Sequence, residues 1–496
     1  MEPFSKFNHD PLQNIIAKTN NLPTDILANH VKCILLEHLR IFTLFLFFSI
    51  ETFLSLQKEC KPIFHFLPLS CVLLFFALKY FLSKPQPVYL VDFSCLEPPN
   101  YCRVPFSSFI EHVSTMDIFD EKSVAFMTKI LLASGLGEQT YLPPALHYIP
   151  PRTYQNESLK EVRMVLFPVM DDLLSKTKLS PQDIDILIVN CSGFCPSPSL
   201  SSIIINKYSM RNDIKSFNLS GMGCSAGALG IDLAQSLFKT HKNSYAIVLS
   251  TEILSTGWYS GNERPKLLLN CVFRMGSAAI LLTNRKEEKK RSKYRLLKTA
   301  RTQRAFDDKA YLSAMREEDS DGKTGVTLNR DLLRVAGEVL HSNITIISSS
   351  ILPYTEMIRH GFSIIWKKFF DKSSNFYTPN FKSAIQHFCL PTSGKPVVRE
   401  IGKGLKLSER DMEAALMTLH RFGNQSSSSL WYELAYMEAK ERVKKGDKVW
   451  QLGMGTGPKC TSLVWVCNRP ILGEFRKGPW ANTIGHYPVP EINGHI

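Results

Sequence analysis

The chain has 496 residues, enough for about three average domains, although large α/β enzymes of this length often build one continuous core. Its 59 basic and 45 acidic residues give a net charge of +14, which favours a polyanionic partner: nucleic acid, an anionic membrane or a phosphorylated small molecule. Nucleic acid is disfavoured because the sequence contains no recognisable binding module and no basic strands interleaved with aromatic residues. The 12 cysteines have scattered spacings and no cleavable signal precedes them, so we expect reduced thiols on the cytosolic side of a membrane.

Two apolar segments follow a polar stretch that we interpret as a cytosolic leader, residues 1–38. The first segment, residues 39–56, is interrupted by charged side chains, so it is either a short membrane span or an interfacial helix. The second, residues 63–82, is long enough to cross a bilayer. We therefore predict a membrane region at 39–82 with one or two transmembrane helices.

Strand and helix patterns alternate after residue 83. The predicted strands are 88–93, 184–190, 245–250 and 278–283, and the predicted helices are 121–133 and 157–176, the second bent at Pro168. The last three strands are continuous aliphatic runs, which are typical of parallel strands covered on both faces. Because helices lie between them, the pattern predicts a layered α/β fold.

A second set of elements begins after a basic run at 285–295. The predicted strands are 294–301, 448–452 and 462–467, and the predicted helices are 329–341, 409–420 (ended by Gly423) and 430–444. The basic run has two interpretations: a solvated loop between strands, or a contact for coenzyme A phosphates or lipid headgroups. The glycine-rich turn at 453–457 follows a strand, as a phosphate loop does, but it opens into a strand, so dinucleotide binding is disfavoured.

Cys224 is the candidate nucleophile. It lies in the sequence Gly-Met-Gly-Cys-Ser-Ala-Gly at 221–227, between a strand-like run at 214–219 and a helical pattern at 228–238. A helix N-terminus favours a thiolate, and the flanking glycines would let a substrate approach the backbone. The alternative is an inert core cysteine. The close pair Cys191 and Cys195 lacks further metal-ligand spacing, so we expect no zinc site.

The cysteine motif occurs together with His-Arg-Phe-Gly-Asn at 420–424 and the serine-rich run that leads into Leu-Trp-Tyr-Glu-Leu-Ala-Tyr at 430–436. In this combination the chain resembles the plant 3-ketoacyl-CoA synthases, condensing enzymes related to thiolases and chalcone synthases. The resemblance extends from about residue 88 to residue 488. It implies a thiolase-like αβαβα core of two similar halves, 83–290 with the nucleophile and 291–496.

The resemblance also implies a cysteine–histidine–asparagine triad, with Cys224 as nucleophile and Asn424 as the asparagine. His420 matches a further family histidine, although an ordinary core histidine is the equal alternative. The sequence departs from the family at two positions: Pro391 occupies the place of the triad histidine, and Gln303 replaces a second histidine. Proline supplies neither a base nor an N–H donor.

His387 matches another histidine of the family and is the remaining candidate site residue, because it could take over from the missing base only after a displacement. No cofactor and no metal are expected.

Two functions follow from these observations. The first is condensation of acyl-CoA with malonyl-CoA in very-long-chain fatty acid elongation, impaired by Pro391. The second is a pseudoenzyme subunit that modulates an active paralogue. Both imply an endoplasmic reticulum membrane protein with its catalytic domain facing the cytosol. Both also imply a homodimer, or a heterodimer with an active paralogue and other elongase subunits.

Overall fold

The computed structural model describes Leu74 and residues 86–490, with gaps at 330, 370–376 and 378. The predicted leader lies outside the described residues, as does the predicted membrane region apart from Leu74. Within the described part, no helix combines the length and the apolar character needed to cross a bilayer.

Strands and helices alternate along the described chain. The strands are β1 (Tyr89–Cys95), β2 (Ile186–Asn190), β3 (Lys215–Leu219), β4 (Tyr245–Thr251), β5 (Ser277–Thr283), β6 (Tyr294–Gln303), β7 (Ala314–Glu318), β8 (Thr324–Leu328), β9 (His387–Cys389), β10 (Lys448–Gly455) and β11 (Lys459–Cys467). The helices are α1 (Phe106–Ser114), α2 (Glu121–Ala133), α3 (Gln155–Thr177), α4 (Leu200–Tyr208), α5 (Ala226–Leu237), α6 (Arg264–Val272), α7 (Asp308–Tyr311), α8 (Leu332–Ile351), α9 (Tyr354–Phe369), α10 (Lys395–Gly404), α11 (Glu409–Phe422) and α12 (Ser429–Ala439).

Nine strands form one mixed sheet in the order β3-β2-β4-β5-β1-β6-β11-β10-β9, and β7 and β8 form a separate hairpin. From β2 through β4 and β5 to β1 the pairings are parallel, antiparallel and antiparallel. From β9 through β10 and β11 to β6 the same sequence of pairings recurs. The sheet therefore contains the same order of pairing directions twice, and the loop at 284–293 joins β5 of the first run to β6 of the second.

The aliphatic strands are buried as predicted, but one of them has a different direction. Every residue of β2, β4 and β5 is buried, and β2 pairs in parallel with both of its neighbours. β5 is antiparallel to both β4 and β1, so the interpretation of its sequence as a parallel strand was wrong. A continuous aliphatic run reports burial of both faces, and this burial does not depend on strand direction.

Helices cover and separate the two runs of strands. Helix α5 contacts β2 and β4 of the first run and β10 and β11 of the second, and the almost fully buried α12 contacts β1, β9 and β10. On other surfaces, α3 packs on β1 and β5, and α8 packs on β6 and β11. The layered α/β architecture predicted from the sequence is thus confirmed.

Tertiary contacts set the helix bounds where the sequence prediction missed them. The predicted helix 329–341 begins at Leu332 and continues to Ile351 as α8, whose second half is anchored by Asn343, which donates to the backbone oxygens of Ala300 and Cys460. The predicted helix 430–444 ends at Ala439 as α12, and Glu441 beyond it adopts a left-handed φ of 51°. Pro168 lies inside α3, as expected.

The basic run lies between β5 and β6, in the place predicted for a loop. Lys286, Lys289 and Lys290 are exposed. Lys293 is instead buried, and its Nζ lies 2.9 Å from both Asp92 and Glu438 and 3.2 Å from Glu474. The interpretation of the whole run as solvated was therefore wrong at Lys293, whose charge is neutralised inside the fold.

Candidate active site

Cys224 lies in a single 3-10 turn, Gly223–Ser225, that connects β3 to the N-terminus of α5. The second half of the molecule closes over this turn through the end of the β10–β11 hairpin. A Cβ at Gly223 would lie 2.4 Å from the backbone nitrogen of Thr456, and a Cβ at Gly455 would lie 2.2 Å from the carbonyl oxygen of Met222. These glycines make room for the hairpin, so the prediction that both flanks of Cys224 are open to substrate was wrong on the Gly223 side. Gly221 has no atom within 4 Å of its Cβ position.

Asn424 reaches the site from the loop between α11 and α12, and it is anchored to the first half of the chain. Its backbone N–H donates to Val272 O at 3.2 Å, and its carbonyl accepts from Arg274 N at 2.9 Å. Its side-chain Oδ1 accepts the Ser426 N–H at 2.8 Å. This bond occupies the amide oxygen of Asn424 and leaves its NH2 group as the donor.

Ser426 brings the asparagine loop into contact with the nucleophile. Its Oγ lies 3.4 Å from Cys224 Sγ and 3.3 Å from Glu252 Oε2. Glu252 follows β4 and also accepts hydrogen bonds from the backbone N–H groups of Ser192 at 3.3 Å and Gly193 at 2.7 Å. The site thus consists of Cys224, Ser426, Glu252 and Asn424, contributed by both halves of the fold.

The thiol of Cys224 is less acidic than its position in the sequence suggested. The pKa of Cys224 is raised to about 11, mainly by burial and in part by the Glu252 carboxylate, while the hydrogen bond from Ser426 opposes the increase. The expectation of a thiolate at neutral pH was therefore wrong for the resting protein, because desolvation outweighs the helix N-terminus. Acylation of this thiol requires a proton acceptor.

Pro391 and Gln303, the two replaced family positions, lie at the same end of the sheet as Cys224. β9 pairs in parallel with β10, and the last pair is Cys389 opposite Gln451. Continuing this register by two residues places the buried Pro391 level with Gly453. The Cβ position of Gly453 lies 3.4 Å from Ser225 Cα. Gln303 ends β6 opposite Lys459, beside the hairpin that covers the turn. Neither position carries the histidine that the resemblance implies there.

His387 and His420 lie outside this cluster. His387 Nε2 contacts Asp447 Oδ2 at 2.9 Å, and His387 pairs with Val449, about 20 Å along β10 from Gly455 because each residue of a strand rises about 3.3 Å. The ring of His420 is next to Gly137 and packs edge-on against Tyr487. Among the described residues, no hydrogen bond joins either histidine to Cys224 or Asn424.

The glycine-rich turn and the close cysteine pair have structural surroundings. Gly453 and Gly455 belong to β10, and the turn at 456–458 leads directly into β11, so its geometry is that of a β-hairpin. Cys191 Sγ lies 3.6 Å from Glu252 Oε1. In the part of the chain that the structure describes, no group of three or more histidine, cysteine or acidic side chains is arranged to hold a metal ion.

Sequence reasoning did not assign a role to Glu252 or Ser426. Two signals were available: Glu252 directly follows a buried strand, where side chains at the carboxyl end commonly form sites, and Ser426 is two residues after Asn424. Neither signal shows that the two residues meet across a sequence separation of 174.

Comparisons with known proteins agree with the fold. Residues 80–369 match the family model described as FAE1/Type III polyketide synthase-like protein, and residues 381–467 match 3-Oxoacyl-[acyl-carrier-protein (ACP)] synthase III C terminal. A fungal type III polyketide synthase, ORAS, superposes with a TM-score of 0.61 at 14% identity, covering 77% of this chain and 100% of that one. At that identity the superposition shows the fold alone, which is thiolase-like as the resemblance implied.

Two Arabidopsis thaliana relatives are far more similar. The chain is 48% identical to 3-ketoacyl-CoA synthase 5 over 476 residues, which cover 95% of each protein. It is 51% identical to 3-ketoacyl-CoA synthase 6 over 425 residues, which cover 85% of each. At this identity and coverage, the chain belongs to the 3-ketoacyl-CoA synthase family.

Proposed function

We propose that this protein condenses acyl-CoA with malonyl-CoA to give 3-ketoacyl-CoA, carbon dioxide and coenzyme A in very-long-chain fatty acid elongation, and that Pro391 slows the reaction. The observation that supports this proposal is the contact between Cys224 and Ser426, whose N–H is bonded by Asn424, in a member of the 3-ketoacyl-CoA synthase family. A nucleophile and a fixed amide donor are two of the three groups that such a condensation needs.

Each residue has a distinct part in the reaction. Cys224 Sγ attacks the acyl-CoA thioester and holds the acyl group while coenzyme A leaves as its thiol. Malonyl-CoA then loses carbon dioxide, and the Asn424 NH2 group stabilises the enolate oxygen that develops. The enolate carbon attacks the Cys224 thioester, and the thiolate of Cys224 leaves as the 3-ketoacyl-CoA forms.

The missing histidine sets the expected rate. Loss of one oxyanion donor typically lowers a rate by about 10² to 10³, and loss of a general base by about 10² to 10⁴. Pro391 can serve in neither role, so turnover should fall below that of a complete triad by a factor in this range.

A second function is favoured by the replacements themselves. With Pro391 and Gln303 in place of two histidines, the chain could act as a pseudoenzyme subunit that pairs with an active paralogue and changes its stability or access. In either role we propose a dimer, attached to the endoplasmic reticulum membrane through residues 39–82 with the catalytic domain in the cytosol.

Full-length protein purified from a host without elongases of its own tests the enzymatic proposal. We expect slow formation of 3-ketoacyl-CoA that disappears in Cys224→Ser and increases by about 10² or more in Pro391→His. Absence of product from both wild type and Pro391→His would reject the enzymatic function.

Co-expression with an active relative tests the pseudoenzyme function. That function predicts that the chain alters the relative's product profile and that Cys224→Ala leaves this effect intact. If the effect disappears with the thiol, the pseudoenzyme function is rejected.

A further inference from the structure

The Ser426 hydroxyl lies between a thiol and a carboxylate. Its Oγ is 3.4 Å from Cys224 Sγ and 3.3 Å from Glu252 Oε2. A hydroxyl has a single hydrogen, so it donates to one neighbour at a time. When it donates to the Glu252 carboxylate, its lone pairs are free to accept the S–H hydrogen of Cys224, and the three groups form one continuous hydrogen-bonded chain.

We propose that Ser426 and Glu252 form the route by which Cys224 loses its proton during acylation, replacing the histidine whose position Pro391 occupies. The inference deepens the proposed function and rests on it. In this route Ser426 is catalytic, because its hydroxyl touches the reacting sulfur. Glu252 acts through Ser426: it orients the hydroxyl and receives the proton.

The step balances without any further reactant. The Sγ–H bond of Cys224 breaks as its proton moves to Ser426 Oγ, and the original hydroxyl proton of Ser426 moves to Glu252 Oε2. The sulfur electron pair forms the new bond to the thioester carbon, and the bond from that carbon to the coenzyme A sulfur breaks, with its electron pair staying on that sulfur. The proton on Glu252 returns through Ser426 to the coenzyme A thiolate, which restores the carboxylate.

Glu252 is held in position to receive a proton. Backbone N–H groups of Ser192 and Gly193 bind its two oxygens, and Gly193 is fixed in turn by Arg316, whose Nη1 donates to Gly193 O at 2.5 Å. Burial raises the pKa of Glu252, which makes its carboxylate a stronger base than a solvated one.

The titratable and charged groups around Glu252 are few. They are the thiols of Cys191 and Cys224, the guanidinium of Arg316 and the carboxyl group of Glu161. Neither thiol is a competing base near neutral pH, because burial raises the pKa of Cys191 as well as that of Cys224.

The backbone of Ser426 supports the same assignment. Its φ is 55°, in the left-handed region that non-glycine residues rarely adopt, and Asn424 Oδ1 holds it there by accepting its N–H. Such strained positions cluster at functional sites. Here the conformation aims the hydroxyl at the cysteine and the carboxylate together.

Acylation of full-length protein by radiolabelled stearoyl-CoA, measured in single turnovers across pH, tests the route. We expect Ser426→Gly and Glu252→Gln to slow labelling by about 10² or more. Glycine suits the φ of 55°, so Ser426→Gly removes the hydroxyl without straining the fold. Matched controls are Ser428→Ala and Glu433→Gln, buried residues whose side chains bond to Ser250 O and Leu390 N, and these should label within a few-fold of wild type.

The pH profile separates proton transfer from a structural role. Wild-type labelling should rise with pH as Glu252 ionises, and this rise should vanish in Glu252→Gln. Adding Pro391→His to Glu252→Gln should restore labelling, because the histidine supplies another base. Wild-type rate and pH profile in Glu252→Gln would overturn the route.

The outcomes also separate this inference from the proposed function. Wild-type protein that labels and condenses, together with Glu252→Gln that labels equally well, would overturn the route and leave the enzyme. Labelling that depends on Glu252, without any 3-ketoacyl-CoA, would support the route and reject the condensation. Wild-type labelling no higher than that of Cys224→Ser would overturn both.

Discussion

Two glycines beside the nucleophile allow the close packing of the two halves to be measured. Gly223 and Gly221 both have left-handed φ angles, 60° and 67°. They differ in their surroundings, because a Cβ at Gly223 meets the backbone of Thr456 at 2.4 Å whereas a Cβ at Gly221 meets nothing within 4 Å. The substitutions Gly223→Ala and Gly221→Ala therefore share the conformational cost and differ in the steric one.

The expected magnitudes follow from these two terms. Placing a Cβ in the left-handed region costs about 1–2 kcal/mol, which is the whole expected effect of Gly221→Ala. Overpacking adds about 1–3 kcal/mol, so Gly223→Ala should lose about 2–5 kcal/mol. Backbone atoms cannot rotate away as a side chain can, which places the clash with Thr456 in the upper part of that range.

Urea unfolding of the purified full-length variants measures the difference, with acylation of Cys224 as a second readout. Gly223→Ala should unfold at lower urea and label more slowly, since the hairpin must move away from the turn that carries Cys224. Gly221→Ala should show the smaller loss of stability alone. Equal destabilisation by the two substitutions would refute the conclusion that the hairpin packs directly on the nucleophile turn.

Two further predictions concern buried charges. Lys293→Met should destabilise the protein by about 3–5 kcal/mol in urea unfolding, because it leaves the buried Glu438 carboxylate unpaired. Lys290→Met, on the exposed part of the same loop, should change the stability by no more than about 0.5 kcal/mol. Equal effects of the two substitutions would contradict a stabilising ion pair between Lys293 and Glu438. Burial raises the pKa of Glu161 from 4.5 to about 7, so the folded state binds the proton of this carboxyl group more tightly than the unfolded state does. The stability that results is complete below pH 4.5 and should be lost as the pH rises through about 7. Glu161→Gln should flatten that part of the pH–stability curve by about 3 kcal/mol, and an unchanged curve would show that Glu161 does not titrate there.

The sequence predicts the helices and strands whose buried residues recur at a regular spacing. It does not predict features that depend on contacts between distant parts of the chain. Helix α2 begins and ends at the predicted residues because its apolar spacing is regular and Asp120 caps it, accepting from Ser123 N. The hairpin of β7 and β8 was not predicted, because each of its strands has a single buried residue and its pairing is not encoded in a hydrophobic pattern. Direction within the sheet is equally absent from the pattern, as β5 demonstrates.

The same distinction applies to the active site. Cys224 can be proposed as the nucleophile because its glycines and its helix are local in sequence, but its raised pKa could not be predicted, since burial and the Glu252 carboxylate depend on the folded chain. The positions of His387, which begins β9, and of Pro391, two residues beyond its end, could be compared with Cys224 only after the pairing of β9 with β10 was known. Local chemistry can therefore be inferred from the sequence, whereas the electrostatics of the site depend on the assembled halves.

The contacts of the site residues also bear on which of the two proposed functions the fold favours. The Asn424 side chain accepts the Ser426 N–H, and the Glu252 side chain accepts two backbone N–H groups, so both side chains contribute to the fold whether or not the protein is an enzyme. Cys224 differs, because the Sγ hydrogen bond that the structure gives it is a weak one, 3.4 Å from Ser426. A partly buried thiol with a contact of that kind could be replaced by serine or alanine at little cost in stability. Structural demands therefore explain Asn424 and Glu252 but not Cys224, and the presence of the thiol favours a protein that still forms an acyl thioester.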